Sequence, residues 1–276
     1  MKEVRLRSAN DEFQLIEVLK QNRTKRQKSH SFFVEGVRNI TQAVDHAFEI
    51  SAFCSVAGTQ LSSWASEVLQ RGRAERHYLL TPALMAKLSD KNEPSELIAV
   101  VRMPADDLAR IPAPANARIV LLDRPSNPGN LGTLLRSCDA FGVSGVIITG
   151  HAVDVYEPQV IRASMGSFFA VPVVRLQSQR ELEPWLARLR AEPEGLKIIG
   201  TSAKSNETVA AESFAQRSLL LFGNETHGLS AGYRELCERV LTIPMTGTAS
   251  SLNISCAASI VLYEAFQRAR EHVPSA

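Results

Sequence analysis

From Arg118 onward the chain alternates short apolar runs with stretches of helical spacing, and that alternation leaves few folds open. Arg118-Ile-Val-Leu-Leu-Asp123 reads as a buried strand. Leu131 to Phe141 places Leu131, Leu134, Leu135 and Cys138 on one side of a helix. Gly145–Thr149, Phe169–Arg175, Leu196–Thr201, Ser218–Phe222 and Val240–Ile243 read as further strands, with Pro172 setting the second of these near an edge or a strand end. Helices are expected over 180–190, 230–238 and 252–270. Strands separated by helices pair in parallel and are covered on both faces, so the class is α/β with a parallel sheet. The earlier residues hold a helix near 10–21, a strand at Ser31–Val34, a helix over 36–47 and a strand near Ile98–Val101, which makes a smaller α/β domain. Between the two, Met103 to Ala117 carries three prolines and small residues, the composition of a linker. The expected division is 1–103, a linker at 104–117, and 118–276.

A chain of 276 residues, 45% of them hydrophobic, can bury two cores of this kind. The formal net charge of +2 is too small to argue for a nucleic-acid partner by itself. Its distribution says more, because Lys20 to Lys28 contains five cations and no acid. Arg23, Lys25, Arg26 and Lys28 are therefore candidate phosphate contacts; the other reading of the same run is a solvated helix end. Cys54, Cys138, Cys237 and Cys256 form no C-x-x-C pair and stand beside no histidine cluster, so neither a metal site nor a disulfide framework is expected. Met1-Lys-Glu-Val-Arg has no apolar signal core, and no apolar run reaches membrane-spanning length. A cytoplasmic protein with no membrane partner is expected.

Open parallel sheets bind ligands beyond the carboxyl ends of their strands, and three such ends are unusual here. After Asp123 a Pro/Gly/Asn turn leads into a helix carrying Asn130 and Arg136; Asn130 reads equally as a helix cap and Arg136 as a solvated residue. After Phe222 comes Gly223-Asn224-Glu225-Thr-His-Gly228, where Gly223 permits close backbone approach and Glu225 stands just past the strand. His227 in this loop tempts as a base, but a lone loop histidine is more often uninvolved. After Ile243 a loop of small polar residues passes Met245 to Ser251-Leu252-Asn253 and becomes an apolar helix; Ser251 or Asn253 caps it, or offers donors and acceptors to a ligand. The dinucleotide, phosphate-loop and nucleophile-elbow signatures are missing.

Taken together, Asn130-x5-Arg136, Gly223-Asn224-Glu225 and Ile243-Pro-Met245 leading to Ser251-Leu252-Asn253-Ile-Ser255 resemble the three signature motifs of the SpoU (TrmH-like) branch of SPOUT methyltransferases, over about residues 118–268. The resemblance implies a parallel-sheet domain with a deep trefoil knot, in which S-adenosylmethionine binds bent against Gly223, Ile243 and Leu252, with Met245 nearby. It implies a homodimer whose site is completed across the interface, and a 2′-O-methylated ribose in ribosomal or transfer RNA as the product. Arg136 takes the family's place of general base; since arginine barely deprotonates, an electrostatic anchor for phosphate and alkoxide is the alternative role. Asn130 and Glu225 shape the substrate pocket and orient Arg136, while Ser251 and Asn253 order the site. In the first domain, Arg23-Thr-Lys-Arg26-x4-Ser31-Phe-Phe-Val34-Glu35-Gly36 and Leu80-Thr-Pro-x3-Met85-x2-Leu88-Ser89 resemble a ribosomal-protein-like RNA-binding domain, which points to ribosomal rather than transfer RNA. A catalytically idle RNA-binding or ribosome-assembly protein is the competing reading. The joint presence of Asn130, Arg136, Glu225, Ser251 and Asn253 opposes it. A small-molecule α/β enzyme is opposed by the basic first domain.

Overall fold

The computed structural model describes residues 1–91 and 93–271. The chain forms two compact units, one of Met1–Pro104 with Asp154–Ala170, the other of Ala105–Val153 with Val171–Ala276.

The first unit runs β1 (Lys2–Leu6), α1 (Asp11–Gln21), α2 (Arg23–Ser29), β2 (Ser31–Glu35), α3 (Val37–Asp45), β3 (Ile50–Val56), α4 (Ser63–Arg71), β4 (Arg76–Leu80), α5 (Pro82–Leu88) and β5 (Ile98–Arg102). Its sheet has the order β1-β4-β3-β5-β2, with β5 antiparallel to both neighbours and the other pairs parallel. Helix starts are set by side-chain caps: Asn10, Asn22, Ser62 and Thr81 each accept an N–H from the first turn. The two stretches that resemble an RNA-binding domain meet here. The Glu35 carboxylate accepts hydrogen bonds from Ser89 Oγ and from the Asp90 N–H, while Met85 and Leu88 are wholly buried.

The second unit runs β6 (Arg118–Asp123), α6 (Pro128–Ala140) and β7 (Gly145–Thr149). The chain then contributes α7 (Pro158–Ser164) and α8 (Ser167–Ala170) to the first unit. It resumes with β8 (Val173–Leu176), α9 (Glu183–Ala191), β9 (Lys197–Thr201), β10 (Glu207–Thr208), β11 (Ser218–Phe222), α10 (Ala231–Leu236), β12 (Arg239–Thr242) and α11 (Ile254–Glu271). The seven strands have the order β10-β12-β9-β11-β6-β7-β8 and every pair is parallel. All carboxyl ends therefore share one edge. Strand β11 is laid between β9 and β6, both earlier in the chain, so the segments after β6, β9, β11 and β12 emerge side by side. The expected α/β class with a parallel sheet is what the chain adopts. The proline-rich segment is packed rather than free: Ile111 is buried in the core of this unit, against Gly145 at the start of β7.

Two expectations are corrected. The strand expected over Phe169–Arg175 begins only at Val173, because Pro172 has no N–H to give the ladder. Phe168 and Phe169 lie in α8 and join Phe32, Phe48 and Tyr156 in an aromatic cluster, so the apolar run is core material of the first unit. Arg26 is no phosphate contact. Its side chain is 3% exposed and its Nε and Nη2 lie 2.8 and 2.7 Å from Asp154 Oδ2. Its Nη1 also donates to Leu19 O at 2.7 Å. A guanidinium held this way would leave an uncompensated buried carboxylate if drawn out to a phosphate. Arg23, Lys25 and Lys28 remain exposed on α2.

Candidate active site

The carboxyl edge of the parallel sheet opens onto a cavity of about 660 Å³. Its walls include Asn130 from the first turn of α6, the loop from Gly223 to Leu229 after β11, Ile243 and Met245 after β12, and Ser250 to Ile254 at the start of α11. Eight of the nine residues singled out from the catalytic motifs are there: Asn130, Glu225, Ser251, Asn253, Gly223, Ile243, Met245 and Leu252. Arg136 is not. It sits six residues beyond Asn130 on α6, which turns it well round the helix. It is exposed, and no ion pair or hydrogen bond of its side chain occurs among the described residues.

The three motif loops are tied by one chain of hydrogen bonds. Glu225 Oε2 accepts from the Ser126 N–H at 3.2 Å and from Ser126 Oγ at 2.8 Å. Glu225 Oε1 accepts from Asn130 Nδ2 at 3.3 Å. Asn130 Oδ1 then accepts from Asn253 Nδ2 at 3.0 Å. Asn253 Oδ1 accepts from the Ser255 N–H and Oγ at 2.8 and 2.7 Å, which organises the first turn of α11. The cap of α6 is Asn127, whose Oδ1 takes the Asn130 N–H at 2.9 Å, and this leaves the Asn130 amide for the network. Asn253 does both jobs, ordering its helix start and reaching across to Asn130.

The Gly223 loop is a closed backbone structure. Asn224 and Gly228 exchange N–H···O bonds of 3.1 and 2.9 Å, and Asn224 Oδ1 accepts the Thr226 and His227 N–H groups. A Cβ on Gly223 would stand 2.1 Å from Gly228 C and Leu229 N. The glycine is thus required by its own loop, whose Gly228–Leu229 backbone fills the space a side chain would take, while Gly223 itself lines the cavity. Arg124 latches the loop from below. It clamps Asp123 at 2.8 and 3.0 Å and donates to Gly228 O at 3.3 Å, while Asp123 also accepts the Ser230 N–H at 2.7 Å.

Partial burial pushes the Glu225 carboxyl up, but hydrogen bonds from its own backbone N–H, Ser126 and Asn130 outweigh it and hold the group below the ordinary glutamate range. Asp123 is likewise raised by burial and more strongly lowered by Arg124 and Ser230. Depressed folded-state values stabilise above the unfolded pKa of about 4.3 for glutamate and about 3.9 for aspartate, and that stabilisation is lost as pH falls through the folded-state value. Urea unfolding at several pH values should therefore show stability falling below pH about 4.3, with a shallower fall in Glu225→Gln. An identical slope in the two proteins would contradict the network.

One wall was missed by reading the sequence. Thr201 to Lys204, at the carboxyl end of β9, also line the cavity, as do Arg234 and Val261. The rule that ligands lie beyond strand carboxyl ends applies to β9 as well, and could have pointed there.

The chain resembles known proteins over both units. The model of the SpoU rRNA Methylase family matches residues 117–263, and that of the SpoU L30e-like domain matches residues 10–99. A 23S rRNA (uridine(2479)-2′-O)-methyltransferase of Streptomyces viridochromogenes is 44% identical over 265 residues, covering 96% of this chain and 92% of the relative. The 23S rRNA (guanosine(2553)-2′-O)-methyltransferase RlmP of Bacillus subtilis is 30% identical, covering 86% of this chain and 89% of the relative. Among solved structures, the SpoU methyltransferase AviRb from Streptomyces viridochromogenes in complex with the cofactor AdoMet superposes with a TM-score of 0.89 at 43% identity, over 95% of this chain and 99% of that one.

Proposed function

Because the chain belongs to the SpoU rRNA methylase family, we propose that the cavity at the strand ends is where this enzyme binds its methyl donor and brings a ribose to it. The enzyme is an S-adenosylmethionine-dependent RNA methyltransferase that acts on ribose 2′-oxygens of ribosomal RNA. The observation that carries the site is the hydrogen-bond chain from Ser126 through Glu225, Asn130 and Asn253 to Ser255, which gathers three distant segments around one cavity.

The cavity fits the donor. Its volume lies in the range of small-molecule sites. Leu252, Ile243, Met245 and Val261 supply apolar wall for a purine ring, and the loops after β11 and β12 offer backbone polar groups for its edges. S-adenosylmethionine supplies an electrophilic methyl group on a sulfonium, and the chain supplies alignment. Glu225 is a positioning residue. Its carboxylate is held ionised with both oxygens occupied, so it fixes the Asn130 amide and is no free base. Neither Glu225 nor Asn130 bonds Arg136 in its own protomer.

Arg136 therefore acts across a homodimer, reaching the cavity of the second copy. In support, the α6–α11 pair holds exposed Ile260 and Tyr263 (41% and 49%) as well as Arg136. There the guanidinium anchors substrate phosphate and stabilises the oxygen as its proton leaves. Arg23, Lys25 and Lys28 on α2 add phosphate contacts that make RNA binding salt-dependent. Among the described residues no helix is long and apolar enough to cross a membrane, and the enzyme works with its substrate in the cytoplasm.

Calorimetric titration with S-adenosylmethionine tests the placement. Leu252→Asp puts a charge on the apolar wall and should weaken binding at least tenfold, about 1.4 kcal/mol, with no change in the melting of the fold. Unchanged affinity would put the donor elsewhere.

A further inference from the structure

The first unit has a cavity of its own, of about 280 Å³, where β2 meets α3 and faces α7. Its wall contains an unmet demand. Asn39 is 6% exposed, its Nδ2 donates to Glu35 O at 3.1 Å, and its Oδ1 accepts no hydrogen bond among the described residues. The Nδ2 contact fixes the amide's orientation, since the flipped form would face two oxygens. A buried acceptor without a donor costs free energy that a ligand N–H would recover.

Beside it is an uncapped helix start, with cations around it. Gly36 begins α3 without a side-chain cap, so the N–H groups of Val37, Arg38 and Asn39 carry the helix's partial positive charge with no capping oxygen. Arg38 and Arg162 line the same cavity and are exposed. Lys91 also lines it, its Nζ donating to Ser95 Oγ at 2.8 Å. The acids of the wall are already engaged: Glu35 by Ser89 and Asp90, and Asp90 by Lys20 at 2.7 Å and Arg162 at 3.5 Å. The cavity thus asks for a small group that is anionic at one end and bears an N–H donor at the other.

We propose that this cavity takes one unpaired nucleotide of the RNA substrate, its phosphate on the α3 N-terminus and Arg38/Arg162, its base edge donating to Asn39 Oδ1. Unstacked bases held by their edges are the usual means by which proteins read RNA sequence. The proposal rests on the reading of this chain as an enzyme acting on RNA.

The test has two arms on the full-length protein. In the first, amide resonances are followed on adding each nucleoside 5′-monophosphate, with inorganic phosphate and ribose 5-phosphate as probes of the anion alone. Mononucleotides should shift the Val37, Arg38 and Asn39 backbone amides and the Asn39 side-chain amide, leaving Gly223 and Gly228 unmoved. Phosphate alone should shift only the backbone amides. In the second, Arg38→Ala/Arg162→Ala should raise KM for ribosomal RNA at least about fivefold, with kcat and S-adenosylmethionine affinity unchanged. No shift at Asn39 with any mononucleotide at millimolar concentration overturns the proposal. So does a KM that stays at the wild-type value, which would make this a site for a free mononucleotide if the shifts are seen. Failure of the wild-type protein to methylate RNA would overturn the underlying reading instead, whatever the resonances show.

Discussion

Gly223→Ala is expected to cost most of the affinity for S-adenosylmethionine. The new Cβ would stand 2.1 Å from two backbone atoms of Gly228 and Leu229, and backbone cannot swing aside as a long side chain can. The loop must open, breaking the paired Asn224–Gly228 hydrogen bonds and tilting Glu225 away from Ser126 and Asn130. Overpacking of this kind costs about 1–3 kcal/mol or more, and the strain falls on the wall of the cavity. A loss of at least tenfold in affinity by calorimetry is the expected result, about 1.4 kcal/mol. Gly247→Ala is the control, since nothing lies within 4 Å of its added Cβ. Equal affinities for the two variants would mean that the loop's shape does not hold the donor.

Arg136→Ala should lower kcat by about 10² to 10³, the scale of a lost electrostatic or proton-transfer group. Affinity for S-adenosylmethionine should stay at the wild-type value, because Arg136 does not line its own cavity. The dimer gives this variant a second readout. Mixed with Asn130→Ala, which damages the cavity and leaves Arg136 in place, it should regain activity. In the mixed dimer one cavity is intact and faces an intact arginine. Random assortment of two inactive chains into a twofold dimer restores about one quarter of the wild-type sites. No recovery on mixing, with exchange of subunits verified by mass, would place Arg136 outside the partner's site.

The fold of the second unit was open to reading because its strands are short, apolar and evenly spaced by helices. Arg118–Asp123 and Ser218–Phe222 are observed with the bounds expected. The segment from Asp154 to Ala170 was not legible. Its phenylalanines look like strand material, and the aromatic partners Phe32 and Phe48 that draw them into the other unit lie far earlier in the chain. In the site, the residue types named the chemistry but not its geometry. Asn130 read equally as a cap and as a pocket residue, and no local signal told that Asn127 takes the cap. Gly223 read as a residue that allows close backbone approach, but not that its own loop fills the space a side chain would take. Arg26 stood among exposed cations, and nothing local could show that Asp154 claims it. Arg136 is separated from the cavity by helix geometry, which a linear motif does not display.

Whether this chain methylates ribosomal RNA is read from a nucleotide-resolution map of ribose 2′-O-methylation across ribosomal RNA, from cells with and without this protein. One methylated ribose should disappear in its absence. It should return with the wild-type chain, and fail to return with Gly223→Ala or Arg136→Ala. An unchanged ribosomal RNA map, or a lost methyl group that proves to be on a base or on transfer RNA, would rule out methylation of a ribosomal RNA ribose by this chain.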